Sequence, residues 1–100
     1  MNSGYKLLWT SKSIDDLKNI IDYLEKQWTE KEIKKFIKIL DNRLELIKTN
    51  PKLFPQTYKR KNVRKSVLTK QIVLYYKTEN ETIIILTLFD TRQNPQKLKI

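Results

Sequence analysis

Two stretches in the first half of the chain repeat apolar residues every three or four positions, which is the spacing of an amphipathic helix. The repeating positions are Ile14, Leu17, Ile20, Ile21, Leu24 and Trp28 in the first stretch, and Ile33, Phe36, Ile37, Leu40, Leu44 and Ile47 in the second. Ser13 and Thr29 are each followed three positions later by an acidic residue, as in a capping box. The pattern predicts one helix over about residues 13–27 and a second that ends near residue 48. Because almost no loop separates them, we expect an antiparallel helical hairpin.

Shorter runs rich in β-branched and aromatic residues predict strands around this hairpin. The first is "YKLLWT" at 5–10, and the others lie at 62–68, 70–78 and 82–89. Two prolines in the segment 50–56 end the second helix and indicate a connecting loop. The predicted order is β-α-α-β-β-β, an α+β fold with a helical hairpin packed on one face of a small, largely antiparallel sheet. At this length we expect one domain over residues 1–100.

The last two predicted strands are apolar on both faces. "IVLYY" and "IIILTLF" carry apolar residues at odd and even positions alike. Two helices can cover only one face, so the second face is expected to expose apolar side chains. Such a patch usually marks a binding site. We expect a dedicated partner there, in preference to cover by the tail 90–100, by a loop or by self-association.

Charge adds a second sign of a partner. The formal net charge is +10, and it is uneven: residues 1–50 carry ten Lys and Arg against eight acids, whereas residues 51–100 carry eleven against three. "YKRKNVRK" at 58–65 alone holds five cations and no acid. A basic half of this kind indicates a polyanion or an acidic protein as partner. The absence of cysteine, of a signal-peptide pattern and of a long apolar run predicts a cytoplasmic protein without disulfides or membrane contact.

The residue inventory excludes most enzyme chemistry. The chain has no histidine, no cysteine and one glycine, which removes Ser-His and Cys-His nucleophiles, His-based metal sites and glycine-rich phosphate loops. We therefore expect no metal and no cofactor. The helix acids should be solvated partners of neighbouring cations rather than a catalytic pair. These acids are Asp15, Asp16, Asp22, Glu25, Glu30 and Glu32.

What remains is a possible cluster of cations with a phenol near the strand ends. Guanidinium and ammonium groups can stabilise a phosphoryl transition state, and a tyrosine of lowered pKa can act as a base. The alternative is that the tyrosines are ordinary sheet aromatics and the cations protect edge strands, and on composition alone it is the stronger of the two. The candidates are Arg64, Lys65, Lys70, Tyr75, Tyr76 and Arg92.

Four segments together resemble the RelE/ParE superfamily of type II toxin–antitoxin toxins, also called plasmid stabilisation proteins. They are "YLEKQW", "LELIKTNPKLFPQ", "RKSVLTKQIVLYYK" and "IIILTLFDTRQNP", and they span essentially the whole chain. The resemblance implies the same β-α-α-β-β-β order. It also implies a growth-inhibiting toxin held inactive by a cognate antitoxin, whose acidic, partly disordered tail folds onto the sheet and the helical hairpin.

Within the superfamily, RelE-type toxins cleave mRNA on the ribosome, and ParE-type toxins poison DNA gyrase. By motif position, Arg64 and Lys65 match basic residues at the start of the family's middle sheet, and Arg92 matches the basic residue after the last strand. RelE-type nucleases usually have an arginine where this chain has Val73, and a tyrosine or histidine near the C-terminus, where "NPQKLKI" has neither. These departures move the chain toward the ParE-like branch.

Three hypotheses follow. The first is an inhibitor that binds DNA gyrase without chemistry of its own. The second is a metal-independent endoribonuclease in which Arg64, Lys65 and Arg92 contact the phosphate and Tyr76 or Tyr75 is the base. The third is a degenerate toxin that serves only as the partner of its antitoxin.

Side-chain alternation selects among the basic residues of the second predicted strand, at 62–68. Arg64 and Lys65 must point to opposite faces of their strand, so at most one can join Tyr76 or Arg92. We expect Val63 and Val67 to face the helices. Arg64 then points to the active surface and is our first choice, with Lys65 second.

Overall fold

The structure is a computed structural model that describes residues 5–98 and residue 100. Residues 1–4 and residue 99, which belongs to the tail 90–100, lie outside the described part. The β-α-α-β-β-β order predicted from the sequence is confirmed. The elements are strand β1 (Lys6–Trp9), helix α1 (Ser11–Gln27), helix α2 (Glu30–Thr49), strands β2 (Val63–Val67), β3 (Ile72–Glu79) and β4 (Thr82–Asp90), and a short 3₁₀ turn (Pro95–Lys97).

The four strands form one mixed sheet in the order β1-β4-β3-β2. β2, β3 and β4 pair antiparallel, whereas β1 runs parallel to β4, with Leu7 opposite Ile83. The turn between β3 and β4 places Asn80 at φ 56°, a left-handed conformation that asparagine tolerates better than most residues. The helical hairpin connects the edge strand β1 to the opposite edge strand β2, so both helices lie across one face of the sheet.

The first helix begins earlier than its sequence pattern predicts. Thr10 is its N-cap, and the Thr10 hydroxyl accepts a hydrogen bond from the Ser13 amide at 3.1 Å. Thr10 also donates from its amide and its hydroxyl to the carbonyl oxygen of Ile85 in β4. The predicted cap at Ser13 is therefore wrong, because the chain leaves the sheet at Thr10 and Ser13 already lies buried in the first turn. The predicted cap at Thr29 is confirmed.

The main core lies between the helices and the sheet. Helix α2 contributes a buried stripe that faces alternate residues of β3 and β4, as the apolar spacing predicts. The buried members are Leu24, Phe36, Leu40, Leu44, Ile47, Leu68, Ile72, Leu74, Tyr76, Ile83, Ile85 and Leu88.

The second face of the sheet carries a smaller apolar cluster. Its buried members are Val63, Val73, Tyr75 and Phe89, and Leu86, Leu98 and Ile100 pack against them. The chain's own tail therefore covers part of the face for which the sequence predicts a partner.

The predicted orientation of β2 is wrong. Val63 lies in the cluster on the second face, and Val67 is 56% exposed. Ser66 instead faces the helices, where its hydroxyl accepts a hydrogen bond from Arg43 of α2 at 2.6 Å. The physical reason is that the tail provides apolar partners for Val63, while Arg43 satisfies the buried hydroxyl of Ser66. Arg64 shares the helix-facing side with Ser66.

Helix α1 is bound to β4 through one of its acids. Leu86 is an extra residue in β4, because Tyr75 pairs with Thr87 and Tyr76 with Ile85. Beside this β-bulge, the Asp16 carboxylate accepts hydrogen bonds from the Thr87 hydroxyl and the Leu88 amide. Asp16 also pairs with Lys12 at 2.6 Å, and its side chain is only 14% exposed. The predicted pairing of Asp16 with a neighbouring cation is therefore confirmed, whereas the prediction that its carboxylate is solvated is wrong.

Candidate functional site

Arg64 and Tyr76 are direct cross-strand neighbours on the helix-facing side of the sheet. Both bind the loop that joins α2 to β2. The Tyr76 phenol donates to the carbonyl oxygen of Pro51 at 2.6 Å, and Arg64 Nη1 donates to the carbonyl oxygens of Phe54 at 2.6 Å and Lys52 at 3.5 Å. The structure thus brings together two of the predicted site residues, and both are hydrogen-bonded to the backbone of this loop.

The environment of Tyr76 opposes a role as a base. Its side chain is fully buried, and burial raises its pKa to about 12, although the nearby Arg64 charge lowers it in part. A phenol is a useful base at neutral pH only if its pKa is lowered toward that pH. Tyr76 is instead protonated at neutral pH and acts as a hydrogen-bond donor.

Lys65 and Tyr75 form the equivalent cross-strand pair on the second face. Tyr75 is buried in the apolar cluster there, and burial raises its pKa as well. The two tyrosines therefore face opposite sides, as alternation predicts. Lys65 is exposed, and its side chain has no ion-pair partner among the described residues. It lies beside the exposed Val67.

Arg92 lies in a different part of the molecule. It donates from Nε and Nη2 to the Asp90 carboxylate at 3.0 and 2.6 Å, and its guanidinium stacks 5.1 Å from the centre of the Tyr23 ring. The hydrogen bond from Arg92 holds the pKa of Asp90 below its usual value. Asp90 is opposite Ile72, and Tyr76 lies four positions further along β3, about 13 Å of extended chain from Ile72. The predicted single cluster of cations around a phenol is therefore wrong; exposed Lys70, between β2 and β3, does not complete it.

A groove of about 270 Å³ runs beside Arg92, between the helical hairpin and the ends of β3 and β4. Tyr23 and Trp28 border it and are 43% and 42% exposed, above the buried ring of Phe36. The groove was not predicted from the sequence, because Trp28 fits the apolar stripe of α1 and helical periodicity does not distinguish a buried position from one at the rim. The signal in the sequence was the pair Tyr23 and Trp28, two large aromatic residues near the end of the first helix of the hairpin.

Within the part of the chain that the structure describes, no three Asp, Glu, His or Cys residues are grouped so that they could hold a metal ion. No helix of that part is long and apolar enough to cross a membrane.

A family of known proteins matches most of the chain. The family described as "ParE toxin of type II toxin-antitoxin system, parDE" matches residues 7–95. No curated protein shows a significant sequence match.

Among solved structures, the chromosomal ParDE toxin–antitoxin system from P. aeruginosa superposes with a TM-score of 0.74 at 17% identity, covering 88% of this chain and 97% of that one. A YoeB/ParE toxin from Agrobacterium tumefaciens gives 0.64 at 14% identity, covering 85% and 96%. The YoeB dimer from Staphylococcus aureus gives 0.61 at 14% identity, covering 85% and 94%. At these identities the structures establish a shared fold.

Proposed function

Because the chain belongs to the ParE toxin family of type II toxin–antitoxin systems, we propose that it inhibits growth by binding DNA gyrase, without chemistry of its own. The observation that supports this best is the state of Tyr76, whose buried phenol is bound to Pro51 and has a pKa of about 12. A raised pKa makes each buried tyrosine of β3 a poor base for a ribonuclease at neutral pH. Arg64 and Arg92, which a nuclease would need at the phosphate, are hydrogen-bonded in two separate places.

Of the four residues predicted for the site, Lys65 is the one we assign to contact with the target. It is exposed and lies on the second face beside Val67, so it can meet an acidic or polar surface without any change in the fold. Arg64 and Tyr76 hold the loop between α2 and β2 in its conformation, and Arg92 forms part of the border of the groove. We do not assign these three residues to direct contact with the target. Their replacement should therefore alter stability more than target affinity.

The decisive experiment combines two readouts on the same induced culture. Plasmid supercoiling should change after induction of the wild-type chain, while the 5′ ends of mRNA mapped across several transcripts stay unchanged. With purified gyrase, Lys65→Gln should inhibit supercoiling several-fold less than wild type. Lys38→Gln, the same change on an exposed position of α2, should inhibit normally. Ribosome-dependent cleavage of mRNA by the purified chain would overturn the proposal in favour of the endoribonuclease. Normal growth of induced cells would instead favour the degenerate toxin.

We further propose that a cognate acidic antitoxin covers the groove beside Arg92. Its rim offers two half-exposed aromatics that can receive apolar side chains, and the net charge of +10 favours a segment that is also acidic. The test is titration calorimetry with the protein encoded beside this chain. Trp28→Ala should weaken binding about tenfold or more. Leu53→Ala, at a leucine that is 51% exposed elsewhere, should leave the affinity unchanged. Equal affinities of the two variants would place the antitoxin on another surface.

A further inference from the structure

Hydrogen bonds fix the backbone in the last part of the connection between α2 and β2, just before strand β2 begins. The Thr57 hydroxyl accepts from the Arg60 amide at 3.0 Å and donates to the Arg60 carbonyl oxygen at 2.7 Å. The Val63 amide donates to the same carbonyl at 3.1 Å, and the Thr57 amide donates to the Val63 carbonyl at 2.8 Å. These bonds close a tight turn over residues 57–63. The side chains at its tip are exposed, and the backbone that carries them is fixed by hydrogen bonds. We name residues 58–61 the basic tip.

Tyr58 at the start of the basic tip is completely exposed, at 107% of the reference area for a tyrosine residue. Burial of a tyrosine ring is a large favourable contribution to folding, and Tyr58 gives the fold none of it. Both faces of the ring are open to solvent, and the three residues that follow it are cationic. The fold therefore does not explain this aromatic residue.

The cations of the basic tip are largely unneutralised. Arg60 and Lys61 are exposed, and neither forms an ion pair with any described residue. Lys59 donates from Nζ to the carbonyl oxygen of Leu98 at 2.8 Å, which anchors the tail. In the described part of the chain no Asp or Glu side chain lies within ion-pair distance of these two cations, so their charge faces solvent.

Arg60 also borders a groove of about 400 Å³ on the second face. Lys12 and Lys77 line the same groove, and no Asp or Glu side chain does. Each of these lysines is already paired with an acid of its own element, Lys12 with Asp16 and Lys77 with Glu79 at 2.9 Å. Arg60 is thus the cation of this groove that an anion from outside can use without breaking an existing pair.

We propose that the basic tip is a nucleic-acid contact, in which Arg60 and Lys61 bind backbone phosphates and the ring of Tyr58 stacks on an unpaired base. Base stacking on an exposed aromatic beside cations is the usual way in which proteins hold single strands without reading their sequence. An acidic peptide fits less well, because its apolar side chains would occupy the groove that Arg60 borders, and the exposed ring of Tyr58 does not line that groove. The inference goes beyond gyrase inhibition and does not depend on it.

The experiment uses the full chain and a fluorescein-labelled single-stranded 20-mer DNA, with binding followed by fluorescence anisotropy over a series of salt concentrations. The double variant Arg60→Gln/Lys61→Gln should lower affinity at low salt. It should also reduce the magnitude of the log–log salt slope by about 1.4, since each phosphate contact on a single strand contributes about 0.7. Tyr58→Ala should weaken binding about tenfold and leave the slope unchanged.

The matched control is Lys35→Gln/Lys38→Gln, which removes the same charge from two exposed lysines of α2 that have no ion-pair partner among the described residues. It should bind as tightly as wild type. Circular dichroism melts of all variants should coincide, because every altered side chain is exposed.

Three results would overturn the proposal. One is an absence of DNA binding by the wild-type chain. Another is an equal loss of affinity in the control Lys35→Gln/Lys38→Gln, which would show that binding depends only on net charge. The third is displacement of the DNA by poly-L-glutamate at the same charge concentration, which would identify an acidic peptide as the ligand. Since no gyrase is present, a negative result here leaves the gyrase proposal intact, and a failure of that proposal leaves this one intact.

Discussion

The phenol of Tyr76 donates a hydrogen bond to the carbonyl oxygen of Pro51, 25 residues earlier in the chain, at 2.6 Å. Tyr76 is in the centre of the sheet, and Pro51 is the second residue after the end of α2. The contact therefore fixes the exit of the helical hairpin to the sheet. Arg64, opposite Tyr76, holds the carbonyl of Phe54 three residues further along the same loop.

Tyr76→Phe should destabilise the fold. The change removes the hydroxyl and leaves the carbonyl oxygen of a buried residue without its partner, which costs about 1–3 kcal/mol. For a domain of this size the melting temperature falls by about 4–8 °C for each kcal/mol. Differential scanning calorimetry measures the effect.

Tyr75→Phe is the matched control for that change. It removes the same atom one position earlier, on the opposite face, and none of the hydrogen bonds found among the described residues involves the Tyr75 phenol. Its melting temperature should stay close to that of wild type. If the two variants melt alike, the bond from Tyr76 to Pro51 does not stabilise the native state.

The sequence was sufficient to predict the order and approximate ends of the elements, because apolar periodicity and proline positions are local properties of the chain. It misplaced the side-chain directions of β2. Val63 and Val67 look like core residues in isolation, but Val63 packs against Leu98 and Ile100 of the distant tail, and Val67 is exposed. A contact between residues more than thirty positions apart leaves no trace in the local pattern.

The candidate site was likewise predicted correctly only in part. Arg64 and Tyr76 do meet, and the register of β2 and β3 places them directly opposite each other. Arg92 does not join them, because it follows the far end of β4 and binds Asp90 and Tyr23 there. Motif order along the chain could not distinguish these two ends of the sheet, since both lie near strand termini.

The attachment of α1 to β4 gives a second prediction. Asp16→Ala leaves the Thr87 hydroxyl and the Leu88 amide without their acceptor beside the bulge, which should cost about 1.5–3 kcal/mol. In urea denaturation the midpoint should fall while the slope stays constant, because the surface exposed on unfolding is unchanged. Asp15→Ala, at the adjacent exposed acid, should change stability by less than about 0.5 kcal/mol. Equal midpoints for both variants would contradict a role for Asp16 in joining helix and strand.

The pair of Asp90 and Arg92 gives a prediction about pH. The hydrogen bond from Arg92 lowers the folded pKa of Asp90 below its usual 3.8, so the pair stabilises the fold above that pH and loses its effect as the pH falls through the folded value. Arg92→Gln should therefore lower the melting temperature at pH 7, and the difference from wild type should shrink below about pH 4. Lys97→Gln, a charge change at an exposed lysine that forms no ion pair with a described residue, should show no such pH dependence. NMR titration should find the Asp90 pKa nearer its usual value in Arg92→Gln; an unchanged pKa would refute the assignment of its cause.

The cover that the tail gives to the second face can be removed selectively. Leu98 is half-buried against the cluster of Val63, Val73, Tyr75 and Phe89, so Leu98→Ala should cost about 1–2 kcal/mol, less than a fully buried leucine. The variant should also bind more of a hydrophobic dye such as ANS, because the sheet face beneath the tail becomes open to solvent. The bond from Lys59 to the Leu98 backbone remains possible in this variant, so the loss reports the side chain alone. Leu53→Ala removes an equal side chain from an exposed site and should change neither stability nor dye binding. Dye binding that is the same in wild type and Leu98→Ala would mean that the tail does not shield this face in solution.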